Sequence, residues 1–128
     1  MERIKIIQQE YAGDPWKVLI CCILLNQTSN KQVRPLIDNF FKKWPTPESI
    51  VLEDEMAISS FIRSTGFHNN IKASRIKKLS YSWNSGVRDP FKLPGIGDYA
   101  REAWRIFINN DVSFNPKDKK LKMYIDSL

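Results

Sequence analysis

The sequence predicts an all-α helical domain, and three observations carry that reading. Apolar residues recur at three- and four-residue spacings along nearly the whole chain, helix start and stop signals punctuate it from end to end, and no stretch alternates with a period of two. A length of 128 residues supports a single domain, 1–128.

Taken in order, Ile4, Ile7 and Tyr11 share one face of a first helix. Asp14-Pro15 sets a capping carboxylate before a proline at the first helical position and opens a second helix from Trp16 to Leu25. That helix is apolar almost all round and should be the central buried one. Thr28 or Ser29 caps a third helix with Val33, Leu36, Ile37, Phe40 and Phe41 inward, which Pro35 should bend or shorten. Trp44-Pro45-Thr46-Pro47 ends it and starts a short fourth. Asp54 caps a fifth, with Ile58, Phe61 and Ile62 inward and Gly66 as its terminator. A sixth carries Ile71, Ile76, Leu79 and Trp83 and breaks at Asn84-Ser85-Gly86. Asp89-Pro90-Phe91-Lys92 reads as a short helical turn, followed by a glycine hairpin over 93–97. Asp98 then caps a helix bearing Ala103, Ile106 and Phe107. Beyond the loop over 109–116, Leu121, Tyr124, Ile125 and Leu128 mark a last helical face.

Twenty Lys and Arg against fourteen Asp and Glu give a net charge of +6, which favours a polyanionic partner, either nucleic acid or an anionic membrane surface. The longest apolar run, Val18 to Leu25, falls far short of the ~20 residues that span a bilayer. The opening Met1-Glu2-Arg3-Ile4-Lys5 lacks a signal-peptide apolar stretch, so an intracellular protein is expected, nuclear in a eukaryote and otherwise cytoplasmic. Cys21 and Cys22 are adjacent inside the apolar run and read as small core residues, with neither the spacing of a metal site nor that of a useful cross-link.

Two segments carry chemistry. In Leu93-Pro94-Gly95-Ile96-Gly97, two glycines spaced by one apolar residue let the backbone turn tightly while Ile96 anchors the turn. The helix that follows presents unpaired N–H groups, and Gly95, Ile96 and Gly97 together can grip one DNA phosphate without reading sequence. Asp118, set among Lys117, Lys119, Lys120 and Lys122, has two readings. It is a good cap for the last helix, and it is also a carboxylate able to stabilise a sugar cation and orient water.

Leu93 to Ala100 resembles the helix-hairpin-helix motif of the base-excision DNA glycosylase superfamily. Asp14-Pro15-Trp16-Lys17, Leu25-Asn26-Gln27-Thr28-Ser29, Tyr99, Arg105-Ile106-Phe107 and the spaced set Pro116, Asp118, Lys120 and Leu121 extend the similarity, in order, over Gln8 to Tyr124. They resemble the thymine-mismatch branch found with methyl-CpG-binding domains. The resemblance implies that Asp118 is the catalytic aspartate. Tyr99 stands where bifunctional relatives carry a Schiff-base lysine, and a phenol forms no imine, so a monofunctional enzyme without AP-lyase activity is implied. Tyr99 would then border the extruded base; the alternative is a core aromatic at a helix start.

Gln8 matches a position that hydrogen-bonds the flipped pyrimidine, although Gln is also common on exposed helix faces. Gln27 matches the residue that fills the vacated stack; the thymine-mismatch branch has Arg there, and a plain polar loop is the other reading. Phe67, in Ser64-Thr65-Gly66-Phe67-His68, matches the wedge against the opposite base, with Thr65 replacing an apolar family residue. His68, the only histidine, reads as a polar loop residue. Lys120 lies near the aspartate and suits phosphate contact. A second row, Lys72, Arg75, Lys77 and Lys78, is either a DNA-facing or a merely solvated helix face.

Two cysteines cannot supply the four thiolates of the iron-sulfur cluster that many members bind. No cofactor is expected, although the hairpin carbonyls can hold a monovalent cation beside the phosphate. One lobe should span about 20–97 and the other about 1–19 plus 98–128, with the cleft between them near Gln8, Tyr99 and Asp118. The expected activity is hydrolytic removal of thymine or uracil opposite guanine in double-stranded DNA, by a monomer. A glycosylase for mispaired adenine or an alkylated base, and a non-catalytic helix-hairpin-helix DNA-binding module, are the alternatives.

Overall fold

A computed structural model describes residues 5–66 and 68–128. The Phe67 wedge and the Ile4 contribution to the first helix lie outside the described residues. Among those described, the ordered structure is entirely helical: α1 (Ile7–Glu10), α2 (Pro15–Leu25), α3 (Asn30–Lys43), α4 (Pro47–Val51), α5 (Glu55–Phe61), a 3-10 turn (Arg63–Thr65), α6 (Asn69–Asn84), α7 (Asp98–Phe107) and α8 (Lys119–Asp126).

The chain starts α2 as its sequence dictates, because the Asp14 side chain accepts from the Lys17 N–H and Pro15 sits at the first helical position. Every residue of α2 except Pro15 and Lys17 is buried. It is the shared centre of the molecule, packing against α1, α3, α6 and α7. Inside the core, the Trp16 indole N–H donates to the Ser80 hydroxyl at 3.0 Å and ties α2 to α6. On the far side α6 also packs against α4 and α5, and Phe40, Trp44 and Phe61 fill the space beside α3 with edge-on ring contacts. Phe107 and Tyr124, with ring centroids 5.2 Å apart, join α7 to α8.

Several local expectations change. Ser29 rather than Thr28 caps α3, in a capping box with Gln32, and Pro35 lies within an unbroken fourteen-residue helix. Gly66, at φ +108°, ends the 3-10 turn, whereas α5 has already closed at Ile62. Residues 89–92 form a turn without a helix, in which the Asp89 carboxylate accepts from the Phe91 N–H. Asp98 does not cap α7: Gly97 holds that position, and no side chain satisfies the first N–H groups. Ile71 is 49% exposed, so it is not part of the inward face of α6, and Leu128 lies outside α8 and is exposed.

Candidate active site

The hairpin between α6 and α7 follows from its glycines. Gly95 has φ +77°, a left-handed conformation that side chains resist, and a Cβ there would stand 3.3 Å from the Arg75 Cβ. Ile96 is buried and pins the turn to the core, while Gly95, Gly97 and Asp98 are exposed. The uncapped helix start beside two exposed glycines presents unpaired backbone N–H groups of the kind that can hold an anion. It borders a cavity of about 420 Å³ lined also by Cys22, Asn26 and Arg75.

A second cleft, about 560 Å³, is lined by residues 25–31 together with Tyr99, Asp118 and Lys120. The structure thus brings Asp118, Tyr99, Lys120 and Gln27 to one place from α8, α7 and the α2–α3 turn. Asn26 and Tyr99 line both cavities, so the hairpin and this cleft are neighbours.

Asp118 caps α8 and also faces the cleft. Its Oδ2 accepts from the Leu121 N–H at 2.9 Å and caps α8. Its second oxygen has no protein hydrogen bond among the described residues, and the side chain lines the cleft. The backbone that carries it is clamped by Glu102 on α7, whose two oxygens accept from the N–H groups of Lys117 at 2.6 Å and Asp118 at 3.1 Å. Sequence reasoning missed Glu102. Its spacing of four from Ile106 places it beside the inward face of α7, but its partners are fifteen and sixteen residues away in a loop without periodicity.

Gln8 is only 1% exposed. Its side-chain amide donates to the Tyr99 hydroxyl and, at 3.7 Å, to the Cys22 sulfur. Gln8, expected either to meet the base or to lie on an exposed helix face, is instead buried behind the Tyr99 phenol and lines neither cavity, while Tyr99 stands on the cleft wall. Burial, reinforced by Cys22 and only partly offset by the Gln8 hydrogen bond, raises the Tyr99 pKa well beyond that of an ordinary phenol. Tyr99 therefore stays neutral at physiological pH, and it lines the cleft with its hydroxyl accepting from Gln8. Burial likewise pushes the Cys22 thiol up to about 12, so it remains an inert core thiol.

Gln27 is exposed at the tip of the α2–α3 turn, at φ +59°, a conformation uncommon outside glycine. Lys120 is exposed beside Asp118. The second basic row divides: Arg75 and Lys78 are exposed, whereas Lys72 is buried and Lys77 is partly buried with its ammonium on the Glu53 carbonyl. Arg75, Ile71, His68, Asn26, Gln27 and Lys72 line a smaller cavity of about 160 Å³. His68 remains a solvent-facing loop residue. Among the described residues no three His, Cys, Asp or Glu side chains are grouped to hold a metal ion, and no helix is long and apolar enough to cross a membrane.

Comparison with known proteins places this geometry in a family. Methyl-CpG-binding domain protein 4-like protein of Arabidopsis thaliana is 30% identical, over 96% of this chain and 28% of its own length. A thymine/uracil-DNA glycosylase of Pyrobaculum aerophilum is 36% identical, over 70% of this chain and 42% of its own. The structure of a thermostable thymine-DNA glycosylase superposes with a TM-score of 0.72 at 25% identity, covering 84% of this chain and 52% of that one. The chain spans less than half the length of these two curated relatives. Residues 20–122 match the family model, a stretch that runs from within α2 to within α8 and takes in the hairpin, Tyr99, Asp118 and Lys120 together. This chain belongs to the HhH-GPD superfamily of base excision DNA repair proteins.

Proposed function

We propose that this domain is a monofunctional DNA glycosylase that extrudes thymine or uracil paired with guanine and hydrolyses its N-glycosidic bond. The observation that carries the reading is the convergence of Asp118 and Tyr99 on one cleft bordered by Gln27 and adjoining the hairpin. In this reading, backbone N–H groups of Gly95 to Gly97 hold a phosphate and Lys120 holds another. Gln27 fills the space the base leaves, and the base rests against Tyr99, whose hydroxyl is held from behind by the buried Gln8 amide.

The bond from the sugar C1′ to the base breaks with its electron pair leaving on the base. The sugar carries the resulting positive charge, which the Asp118 carboxylate stabilises. Water adds to C1′ and its proton passes to Asp118, while the departing base takes up a proton. A free pyrimidine and an abasic site result, and the strand stays intact. The names of the thymine and thymine/uracil glycosylases above support the choice of base. A neutral phenol at position 99 supports the absence of a lyase step, because no amine stands there to attack the sugar.

The test is a panel of duplexes carrying thymine, uracil, adenine mispairs, oxidised purines or alkylated bases, each assayed for strand cleavage with and without hot alkali. Thymine or uracil opposite guanine should be released and cleavage should require alkali. Preferential release of a purine would overturn the substrate, and cleavage without alkali or borohydride trapping of a protein–DNA adduct would overturn the monofunctional assignment.

A further inference from the structure

Lys72 is 2% exposed and is the one buried charged side chain among the described residues. Its ammonium donates to the Leu24 carbonyl at 2.8 Å, the Thr65 carbonyl at 3.2 Å and the Thr28 hydroxyl at 3.3 Å. Those three bonds use its full donor capacity. No carboxylate lies within ion-pair distance among the described residues, so neutral oxygens alone compensate a charge that is costly to bury. Desolvation pushes the ammonium down to about 8, which leaves it charged at neutral pH.

The three acceptors belong to two turns. Leu24 is in the last turn of α2, Thr28 follows Gln27, and the Thr28 hydroxyl itself donates back to the Leu24 carbonyl. Thr65 closes the 3-10 turn before Gly66. A methionine or leucine at position 72 would fill the same space without the desolvation cost, so the charge does something packing does not require. What it holds is the turn from which Gln27, in a left-handed backbone conformation, projects into solvent.

We propose that Lys72 is a positioning residue for base extrusion: by fastening the 26–29 turn to the 63–66 turn, its ammonium holds Gln27 ready to enter the space the flipped base vacates. This rests on the glycosylase reading above. Ordering the turn before DNA arrives removes that ordering cost from the binding step. Lys72 itself touches neither base nor sugar.

Single-turnover base release by wild type and Lys72→Met is compared on two duplexes, one with the target in a guanine mispair and one with it opposite an abasic site, where no pairing must be broken. Lys72→Met should slow release from the mispair by about tenfold and from the unpaired target by less than about twofold. In a Gln27→Ala background the same substitution should cost little, because its effect runs through Gln27. Thr28→Val, close to isosteric, removes one acceptor and should give a smaller effect of the same kind, which keeps the test open if Lys72→Met fails to fold. Equal losses on both duplexes, or an undiminished loss in the Gln27→Ala background, would overturn the proposal. Extrusion is also read without hydrolysis, from the fluorescence of 2-aminopurine placed next to the target. If wild type gives the enhancement but releases no base, the glycosylase reading fails and the positioning role is judged on that signal, which Lys72→Met must lower.

Discussion

Asp118 and Gln27 line the same cleft but are held by different means. Asp118 is fixed close to home: it caps its own helix through the Leu121 N–H, and Glu102, sixteen residues away, clamps its backbone from α7. The turn that carries Gln27 is tied from afar, by a buried ammonium on α6 whose acceptors in the α2–α3 region, Leu24 and Thr28, are 48 and 44 residues away in sequence. In the proposed glycosylase, the first arrangement sets the position of a single carboxylate against the reacting sugar. The second sets the shape of the turn that enters the duplex. On that proposal the chemical and extrusion steps rest on separate hydrogen-bond networks, and each can be damaged without the other.

The largest effect should come from the reacting group itself. Asp118→Asn keeps an oxygen to cap α8 but loses the negative charge, and base release should fall by about 10² to 10³ while duplex affinity, read by gel shift or anisotropy, holds. Glu102→Ala should come next. Freed backbone at Lys117 and Asp118 lets the carboxylate drift, and misplacement of that kind costs about 10²-fold at most, again in release and not in binding. The smallest and least selective effect should follow Gly95→Ala. A side chain at φ +77° costs about 1–2 kcal/mol, and the Arg75 stem must also shift by a few tenths of an ångström. Thermal unfolding should register that cost, and DNA affinity should weaken for matched and mismatched duplexes alike, because the hairpin serves both halves of the comparison.

The same contrast explains what the sequence disclosed. Helix starts were legible wherever a capping side chain sits next to its target, as at Asp14, Ser29, Thr46, Asp54 and Asp118, because those interactions span two or three residues. The buried character of α2 followed from an apolar run with no polar face. Asp98 was misread because an acidic residue after glycine is the usual capping signal, whereas here the hairpin glycine takes the position and leaves the N–H groups open. Lys72 was grouped with solvent-facing bases on residue type alone. Its spacing from Ile76, Leu79 and Trp83 puts it on their inward face, and Ile71, one residue earlier, turns outward. Its acceptors, like those of Glu102, lie in other segments of chain, so position on a helix face was the only signal available.

The most direct test of this division is the ratio of single-turnover base release from a mispaired target to release from the same target opposite an abasic site, measured for Glu102→Ala and Gln27→Ala beside wild type. Glu102→Ala should lower both rates together and leave the ratio at the wild-type value; Gln27→Ala should lower the ratio by about tenfold, having lost the wedge alone. A Glu102→Ala ratio that falls as far as that of Gln27→Ala would contradict the account, because carboxylate position and base extrusion would then depend on one network.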